Sequence, residues 1–348
     1  MTTTTAAPRL HELADEGSAI DFCYEQGWTD GLPVVPPTEA RVEATLAWAG
    51  RPPEEVVATH PPTGRACTVH AAAVNAVMAG CLPEYFPVVV AALEALNDPD
   101  YAFHGSSAST GGSAPLLIVS GPIADEIGMN SGVNVFGSGN RANATIGRAI
   151  RLILLNVFRM TPAIADRSTT GWPGKYSACI AEDESRSPWE PLRVALGIPE
   201  EVSAVTVFAA SGFHNIENHY TNDPEALLST FADSMRSLGA LSAGQSVIVM
   251  SPEHAQIAAS RGFTRPDVQE YLYAHAWRPR GDLRRAGKIP ADAPGADDEP
   301  VHRGLSPNDI LLLVAGGEAG GHSAFISSWS RGRGSLFQTK PIGVCLDC

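Results

Sequence analysis

The sequence has few of the features that mark several classes of protein. Only 24 of its 348 residues are Lys or Arg, against 38 Asp or Glu, and the net charge is −14. A nucleic-acid partner is not expected, because binding to phosphates needs a basic surface. No apolar run reaches the roughly 20 residues that a membrane-spanning helix needs. We therefore expect neither nucleic acid nor membrane as a partner.

Cysteine is also scarce. Six cysteines in a chain of 348 residues do not form the disulfide framework of a small secreted protein. The Thr- and Ala-rich start lacks the basic-then-apolar order of a signal peptide. We expect a cytoplasmic, reduced setting and a disordered tail over residues 1–18.

Four apolar, β-branched segments predict buried strands: Pro115–Ser120, Ala204–Ala209, Ser246–Met250 and Ile310–Ala315. Turn-forming Gly, Pro or Ser residues bound each segment. Strands that are apolar throughout are covered on both faces, which favours an α/β fold with a mostly parallel sheet and helices on both faces. Leu32–Val35, before a Pro-Pro break, is a fifth candidate strand.

Helical periodicity and capping residues predict five helices, with Asp223 and Thr264 as N-caps. The predicted helices are Val69–Ala79, Phe86–Leu96, Ala142–Val157, Pro224–Leu238 and Pro266–His275. A boundary near residues 195–202 divides the chain into two α/β lobes, 19–198 and 199–343. A Cys-x-x-Cys tail follows at 344–348.

Each of the four main strands is followed by a loop that holds a carboxylate, and three of these loops also hold a histidine. The loop residues are Glu126 after the first strand, His214, Glu217 and His219 after the second, His254 after the third, and His322 with Ser323 after the fourth. Ligands of open α/β sheets bind at the carboxyl ends of the strands, so this edge is the predicted active site. We expect His322 to act as general acid or base.

Three of the loop histidines, His214, His219 and His254, are candidates for a metal site. The spacing of five between His214 and His219 does not match the spacing of metal ligands on a helix. The alternative is that these side chains hydrogen-bond to loop backbone, or bind substrate as neutral imidazoles. The sequence identifies no cofactor beyond redox thiols.

The segment from Gly137 to Asn143 runs directly into a predicted helix, whose N-terminus favours negative charge. Arg141 is suited to clamp a carboxylate or phosphate. We predict that a small anionic substrate binds here, with the alternative of a tight turn capped by a buried Asn. The predicted substrate-binding residues are Asn130, Gly139, Asn140, Arg141, Asn143, Lys175 and Ser323.

Three cysteines are candidates for chemistry. Cys179 follows Lys175 closely, and a nearby ammonium group favours the thiolate, although a Cys between Ala and Ile is also typical of a core. Cys345 and Cys348 are spaced three apart. Such a pair is able to close a disulfide, exchange with a partner or capture a soft metal.

Several strings in the chain resemble a largely uncharacterised bacterial family associated with (seleno)proteins that bear a U/C-Gly-Ser-Cys motif. The strings are Gly27-Trp-Thr-Asp30-Gly-Leu-Pro-Val-Val-Pro-Pro-Thr38, Ala73–Glu84, Asp125–Gly132, Arg141–Arg148, and Ala315-Gly-Gly with His322-Ser323. The resemblance covers about residues 20 to 343 and implies thiol or selenol redox chemistry, such as reductive cleavage of a carbon–heteroatom bond. The motif itself is absent, and Cys-Leu-Asp-Cys stands at residues 345–348.

Three hypotheses follow. The first is a thiol-dependent oxidoreductase or reductive lyase, in which Cys345 and Cys348 carry electrons and His322 carries protons. The second is a non-redox hydrolase or lyase, metal-assisted or not, that uses Glu126, Glu182, His254 and His322. The third is a ligand- or metal-binding subunit that serves a thiol redox partner protein.

Overall fold

A computed structural model describes residues 9–240 and 243–343. The helices in these ranges are α1 (Glu16–Glu25), α2 (Glu39–Leu46), α3 (Val69–Ala79), α4 (Phe86–Asn97), α5 (Phe103–Ser107), α6 (Ile123–Glu126), α7 (Arg141–Asn156), α8 (Leu192–Ala195), α9 (Pro224–Met235), α10 (Pro252–Ala259), α11 (Arg265–His275) and α12 (Arg280–Arg285). The strands are β1 (Val56–His60), β2 (Arg65–Thr68), β3 (Ala114–Ser120), β4 (Cys179–Ala181), β5 (Ala204–Glu217), β6 (Ser246–Met250), β7 (Trp277–Pro279), β8 (Pro300–His302), β9 (Ile310–Val314), β10 (His322–Ser328) and β11 (Gln338–Pro341).

The five predicted helices are all present, as α3, α4, α7, α9 and α11. The predicted caps are confirmed, since the side chains of Asp223 and Thr264 accept hydrogen bonds from backbone N–H groups in the first turns of α9 and α11. Helix α9 ends at Met235, before the predicted end at Leu238. Local sequence signals therefore account for these helices to within a few residues.

The main sheet has the strand order β4-β3-β5-β10-β6-β9, with β11 beside the first half of β5. The expected α/β class is confirmed, but the sheet is mixed. Among its strands in the described part of the chain, only the pairs β3–β4 and β6–β9 are parallel. Strand β10 follows β9 after the short loop 315–321, which has no room for the crossover that a parallel neighbour needs. The chain therefore returns antiparallel and enters between β5 and β6.

The sheet curls so that its inner face packs against itself. Leu117 and Val119 of β3 face one helical layer, whereas their neighbours Leu116 and Ile118 join a cluster with side chains from β6, β9 and β10. Helices α3, α4 and α7 cover the outside of one half of the sheet, and α9, α10 and α11 cover the outside of the other half. The strands are buried on both faces, as their composition predicts. Helices cover only the outer face, however, because the inner face is covered by the other half of the curled sheet.

The two outermost strands of the curled sheet, β4 and β9, approach each other. The backbone N–H of Asp183 donates to the carbonyl oxygen of Val314 at 2.8 Å. Beside this bond, the guanidinium of Arg265 lies 3.9 Å from the carboxylate of Glu182 and donates to the carbonyl oxygen of Leu312. Both charged side chains are buried. One backbone bond and the buried contact between Arg265 and Glu182 thus link the sheet's ends.

The predicted boundary between two lobes falls just before β5. Strand β3, from residues 19–198, pairs with β5, from residues 199–343, along the whole length of β3. One sheet thus runs through both proposed lobes, and the division itself stays a prediction. No helix in the described ranges is long and apolar enough to cross a membrane.

The predicted strand at Leu32–Val35 is wrong. The segment forms no ladder, because Pro33 and Pro36 have no N–H to donate. Its carbonyl groups instead face α7, where the guanidinium of Arg148 donates to the oxygens of Leu32 and Pro33.

Candidate active site

The loops that follow β5, β6 and β9 meet at one end of the sheet. These strands point the same way, because β10 is antiparallel to both β5 and β6 while β6 and β9 are parallel. The N–H of Asn218 donates to the carbonyl oxygen of Gly321 at 2.8 Å. The carboxylate of Glu253 accepts the N–H groups of Gly320 and Gly321, each at 3.0 Å. Three of the four predicted loops therefore converge.

The fourth predicted loop, after β3, begins elsewhere. Strand β3 is antiparallel to β5, so Ser120 pairs with Ala204, the first residue of β5. Helix α6 and its exposed Glu126 follow at that opposite end of the sheet. Only later does the segment reach the other loops, where the carbonyl oxygen of Ser131 accepts the N–H of Gly316 at 2.8 Å. The structure therefore does not bring Glu126 to His322.

His322 is the first residue of β10 and is exposed. Its Nδ1 accepts a hydrogen bond from the side-chain amide nitrogen of Asn215 at 3.1 Å. Its ring meets that of His219 edge to face, with 5.1 Å between centroids and 89° between planes. The Nε2 of His219 in turn lies 3.2 Å from the carboxylate of Glu217. We call His322, His219, Asn215 and Glu217 the histidine cluster.

A glycine makes this approach of rings possible. Gly321 has φ of 62°, a left-handed conformation that favours glycine. A Cβ atom at this position would overlap the ring of His219 and come 2.7 Å from the carbonyl oxygen of Asn218. Any larger residue there would push His219 away from His322.

The histidine cluster lies at the open end of the inner face of the sheet. Glu217 of β5 pairs with His322 of β10, and Phe213 pairs with Ile326, a member of the inner cluster. Because side chains alternate along a strand, Phe213, Asn215 and Glu217 share this face. Phe136, from the loop before α7, packs edge to face on Phe213 at 5.1 Å. We call this open end the mouth of the sheet.

A groove of about 480 Å³ adjoins the cluster. Asn215 and Glu217 line one side of it, and Ser229, Thr230 and Asp233 of α9 line the other. Neither His322 nor His219 lines this groove, and Ile216, which does, belongs to the outer layer, so the groove lies on the α9 side of β5.

Behind the mouth, on the outer face of β10, a buried network holds the loops together. The Nε2 of His254 lies 2.9 Å from the carbonyl oxygen of Asn218, so it must carry the proton and donate. Its Nδ1 therefore accepts from the Ser323 hydroxyl, at 2.7 Å, and the Ser323 oxygen accepts the N–H of Ser251. Burial lowers the pKa of His254 and keeps the ring neutral.

The four loop histidines divide between two faces. His214 stacks on Phe325 in the outer layer, and burial together with Arg303 lowers its pKa. His214 and His254 thus lie on the outer face, and His219 and His322 on the inner one. Within the described ranges no three His, Cys, Asp or Glu side chains are placed so that they could hold a metal ion.

The predicted anion-binding residues engage one another. Asn143 and Asn130 exchange two hydrogen bonds between side chain and backbone, at 2.9 and 2.8 Å. Asn140 caps α7 by accepting the N–H of Asn143, and it donates to the carbonyl oxygen of Gly128. Gly139 has φ of 120° and forms the turn. These contacts favour the alternative of a tight turn with an Asn cap.

Arg141 and Lys175 also have partners within the chain. The guanidinium of Arg141 donates to the carbonyl oxygen of Gly80 at 3.0 Å. The ammonium of Lys175 contacts the carboxylate of Asp166 at 2.6 Å and the hydroxyl of Ser168. Burial alone would raise the pKa of Asp166, but hydrogen bonds from Lys175, Ser168 and Arg151 outweigh it and lower the pKa to about 2. Sequence reasoning missed this cluster, because Asp166 carries no local signal.

The described cysteines, Cys23, Cys67, Cys81 and Cys179, are buried. Burial raises the pKa of Cys67 and Cys81 to about 12, and that of Cys179 even further. Cys179 is therefore held as a thiol in the core, which favours the structural alternative.

Cys345 and Cys348 lie outside the described residues. The described residues end at Gly343, beside the start of β5. There the N–H of Ile342 donates to the carbonyl oxygen of Ser203 at 2.8 Å. That is the end of β5 opposite to His322. The predicted thiol reaction therefore stays a hypothesis.

Three of the strings that carry the family resemblance, Gly27–Thr38, Ala73–Glu84 and Arg141–Arg148, meet around α7. Arg148 forms a two-pronged ion pair with the buried Asp30, at 2.8 Å for each bond. Asn156 donates to the side chain of Asn75 and to the carbonyl oxygen of Trp28. These residues join distant segments of the chain and thus have a structural role.

Comparison with known proteins identifies no family. No protein-family model and no curated protein matches the sequence. Six solved chains match; one is described as "Cyanuric acid hydrolase: evolutionary innovation by structural concatenation", with 10% identity, 67% of this chain covered and a TM-score of 0.18. The match spans 60% of the length of that chain. A likeness this low carries no argument about fold, substrate or reaction.

Proposed function

We propose that the protein is an acid–base enzyme, a hydrolase or lyase of small molecules, with its active site at the mouth of the sheet. The observation that carries this proposal is the pair His322 and His219, exposed at the mouth with their rings 5.1 Å apart. Both rings are held by neighbours, through Asn215 and Glu217. Paired imidazoles in fixed positions favour proton transfer near neutral pH.

His322 is the proton-transfer group in this proposal. Its Nδ1 is engaged by Asn215, so Nε2 is the nitrogen available to a ligand. An amide side chain serves both protonation states of the ring, because it donates through nitrogen and accepts through oxygen. In the structure the amide nitrogen of Asn215 faces Nδ1, which accepts and leaves the proton on Nε2. A half-turn of the amide brings its oxygen to Nδ1–H and frees a lone pair on Nε2 for the reaction. Asn215 therefore supports His322 as a base and, after protonation, as an acid.

The reaction moves one proton out and back. In hydrolysis, Nε2 of His322 takes a proton from water while the water oxygen attacks the carbonyl carbon. The same proton then passes to the leaving group as its bond to carbon breaks, and His322 becomes neutral again. Glu217, next to His219, compensates the positive charge that appears in the cluster. General acid–base catalysis of this kind contributes about 10²- to 10⁴-fold to a rate.

A cytoplasmic setting belongs to the same proposal. The four described cysteines are free thiols, which supports a reducing compartment.

Hydrolysis of 4-nitrophenyl acetate tests the proposal. We expect His322→Ala to lower kcat/KM by about 10²-fold or more, and added imidazole to restore part of the rate. His275→Ala is the matched control, since His275 is an exposed histidine that stacks on Tyr271 in α11. Equal rates for wild type and His322→Ala would rule out the proposed role.

A further inference from the structure

We infer that the substrate of the proposed active site carries a flat apolar group, best an aromatic ring, that packs on Phe136 and Phe213. This inference rests on the proposed function, because it places that group beside His322.

Three apolar side chains are left open at the mouth. Phe213 is 44% exposed, Phe136 is 40% exposed and Val133 is 75% exposed. Val133 lies against Gly317, so it belongs to the same surface as the loop that leads to His322. Apolar side chains that are exposed together mark ligand-binding surfaces, since covering them is favourable.

The position of Phe213 fixes the size of the group. Phe213 and Asn215 lie on the same face of β5, two residues apart, which is about 7 Å along a strand. Asn215 contacts His322 directly. A ligand that covers Phe213 and presents a reacting atom to His322 thus spans one ring and one attached functional group.

The geometry of the phenylalanine pair favours a ring over a branched chain. The two rings meet at 69°, edge to face. This arrangement leaves part of each phenylalanine ring exposed. A third aromatic ring can pack on that surface with its edge or its offset face. The loop residue Val135, next to Phe136, is buried in the inner cluster, which anchors the loop that carries this wall.

Binding of 4-nitrophenol tests the inference without any turnover. We expect Phe213→Ala and Phe136→Ala each to raise its Kd about tenfold. Leu305→Ala is the control, because Leu305 is 49% exposed and precedes β9 at the other end of the sheet.

Kinetics provide a second measurement. The KM for 4-nitrophenyl acetate is expected to rise by a similar factor in Phe213→Ala, while the KM for 2,2,2-trifluoroethyl acetate, which has no ring, stays unchanged. The two proposals can fail separately. If His322→Ala hydrolyses the ester at the wild-type rate, the proposed function is wrong. If 4-nitrophenol binding still depends on Phe213 and Phe136 in that case, the aromatic site remains.

Three results would overturn the inference: no binding of 4-nitrophenol by the wild type, binding that the phenylalanine substitutions leave unchanged, or a wild-type dimer that Phe213→Ala converts to a monomer. The last result, measured by sedimentation, would mean that a second copy of the chain covers the phenylalanines.

Discussion

His322 and Ser323 are neighbours in the chain, yet their side chains lie on opposite faces of β10. His322 is exposed at the mouth, whereas Ser323 is buried against His254. The strand thus exposes an imidazole ring on one side, while a hydrogen-bonded network holds it from behind. The same short segment belongs both to the proposed site and to the core, and substitutions can separate the two roles.

The first prediction concerns this pair. We expect Ser323→Ala to lower the free energy of unfolding by about 2 kcal/mol or more, because it leaves the Nδ1 of His254 and the N–H of Ser251 buried without partners. His322→Ala, one residue away, is expected to change it by less than about 0.5 kcal/mol, since that side chain is exposed. Urea unfolding of both variants checks this, and equal changes would contradict the assignment of faces.

The second prediction concerns the packing of α7 against β4. A Cβ atom at Gly147 would overlap the hydroxyl of Ser177 and lie 3.0 Å from the backbone nitrogen of Ala178. We expect Gly147→Ala to destabilise the protein by about 1 to 3 kcal/mol, although alanine favours a helix. Gly17→Ala in α1, where 3.5 Å separates the new atom from its nearest neighbour, is expected to be neutral or stabilising by up to about 1 kcal/mol. Thermal unfolding distinguishes the two variants.

The third prediction concerns pH. Burial raises the pKa of Glu182 to about 7, despite the opposing effects of Arg265 and the N–H of Leu192. The folded carboxyl thus keeps its proton up to pH about 7, whereas an unfolded one releases it near 4.5. Stability therefore falls by about 3 kcal/mol as the pH rises through this window. Glu182→Gln is expected to abolish that fall in urea unfolding at pH 5 and pH 8.

His60 provides a control of opposite sign. Burial, with His104 and Arg65, lowers the pKa of His60 to about 4. Its contribution to stability is complete above its unfolded value of 6.5 and is lost as the pH falls towards 4. His60→Gln is expected to remove this acid-side loss and to leave the alkaline-side fall from Glu182 in place. If the free energy of unfolding changed with pH in the same way in Glu182→Gln and His60→Gln, both pKa assignments would be wrong.

The fourth prediction concerns the thiols. In the double variant Cys345→Ser/Cys348→Ser, we expect Ellman's reagent to react with the native protein only as fast as it unfolds, because the remaining thiols are buried and protonated. Fast reaction of the reduced wild type would then belong to Cys345 and Cys348. A fast-reacting thiol in the double variant, located by mass spectrometry, would show that Cys179 or another core cysteine is accessible.

Much of the fold follows from local signals. Helices α3, α9 and α11 are predictable because caps and apolar spacing act within a few residues. Strand β10 is different, since His322–Ser328 mixes polar and apolar residues and becomes a strand through its pairing with β5 and β6. No local pattern encodes a partner that lies a hundred residues away.

The candidate site was predictable in place but not in detail. The loops with His219, His254 and His322 follow predicted strands, so their approach is expected from the sheet alone. Which histidines share a face depends on strand register, and register depends on how the sheet closes. The contact of His322 with Asn215 likewise spans two strands that are distant in sequence.

The contact between β4 and β9 has a consequence for solubility. An unpaired outer strand offers its backbone N–H and C=O groups to any other chain that can extend the sheet, and proteins avoid aggregation by masking such edges. The bond from Asp183 to Val314, with the buried Arg265 beside it, turns these two edges towards each other. Loss of these contacts would expose the unpaired edges of β4 and β9 together. Variants of Arg265 are therefore expected to aggregate before they lose their helices.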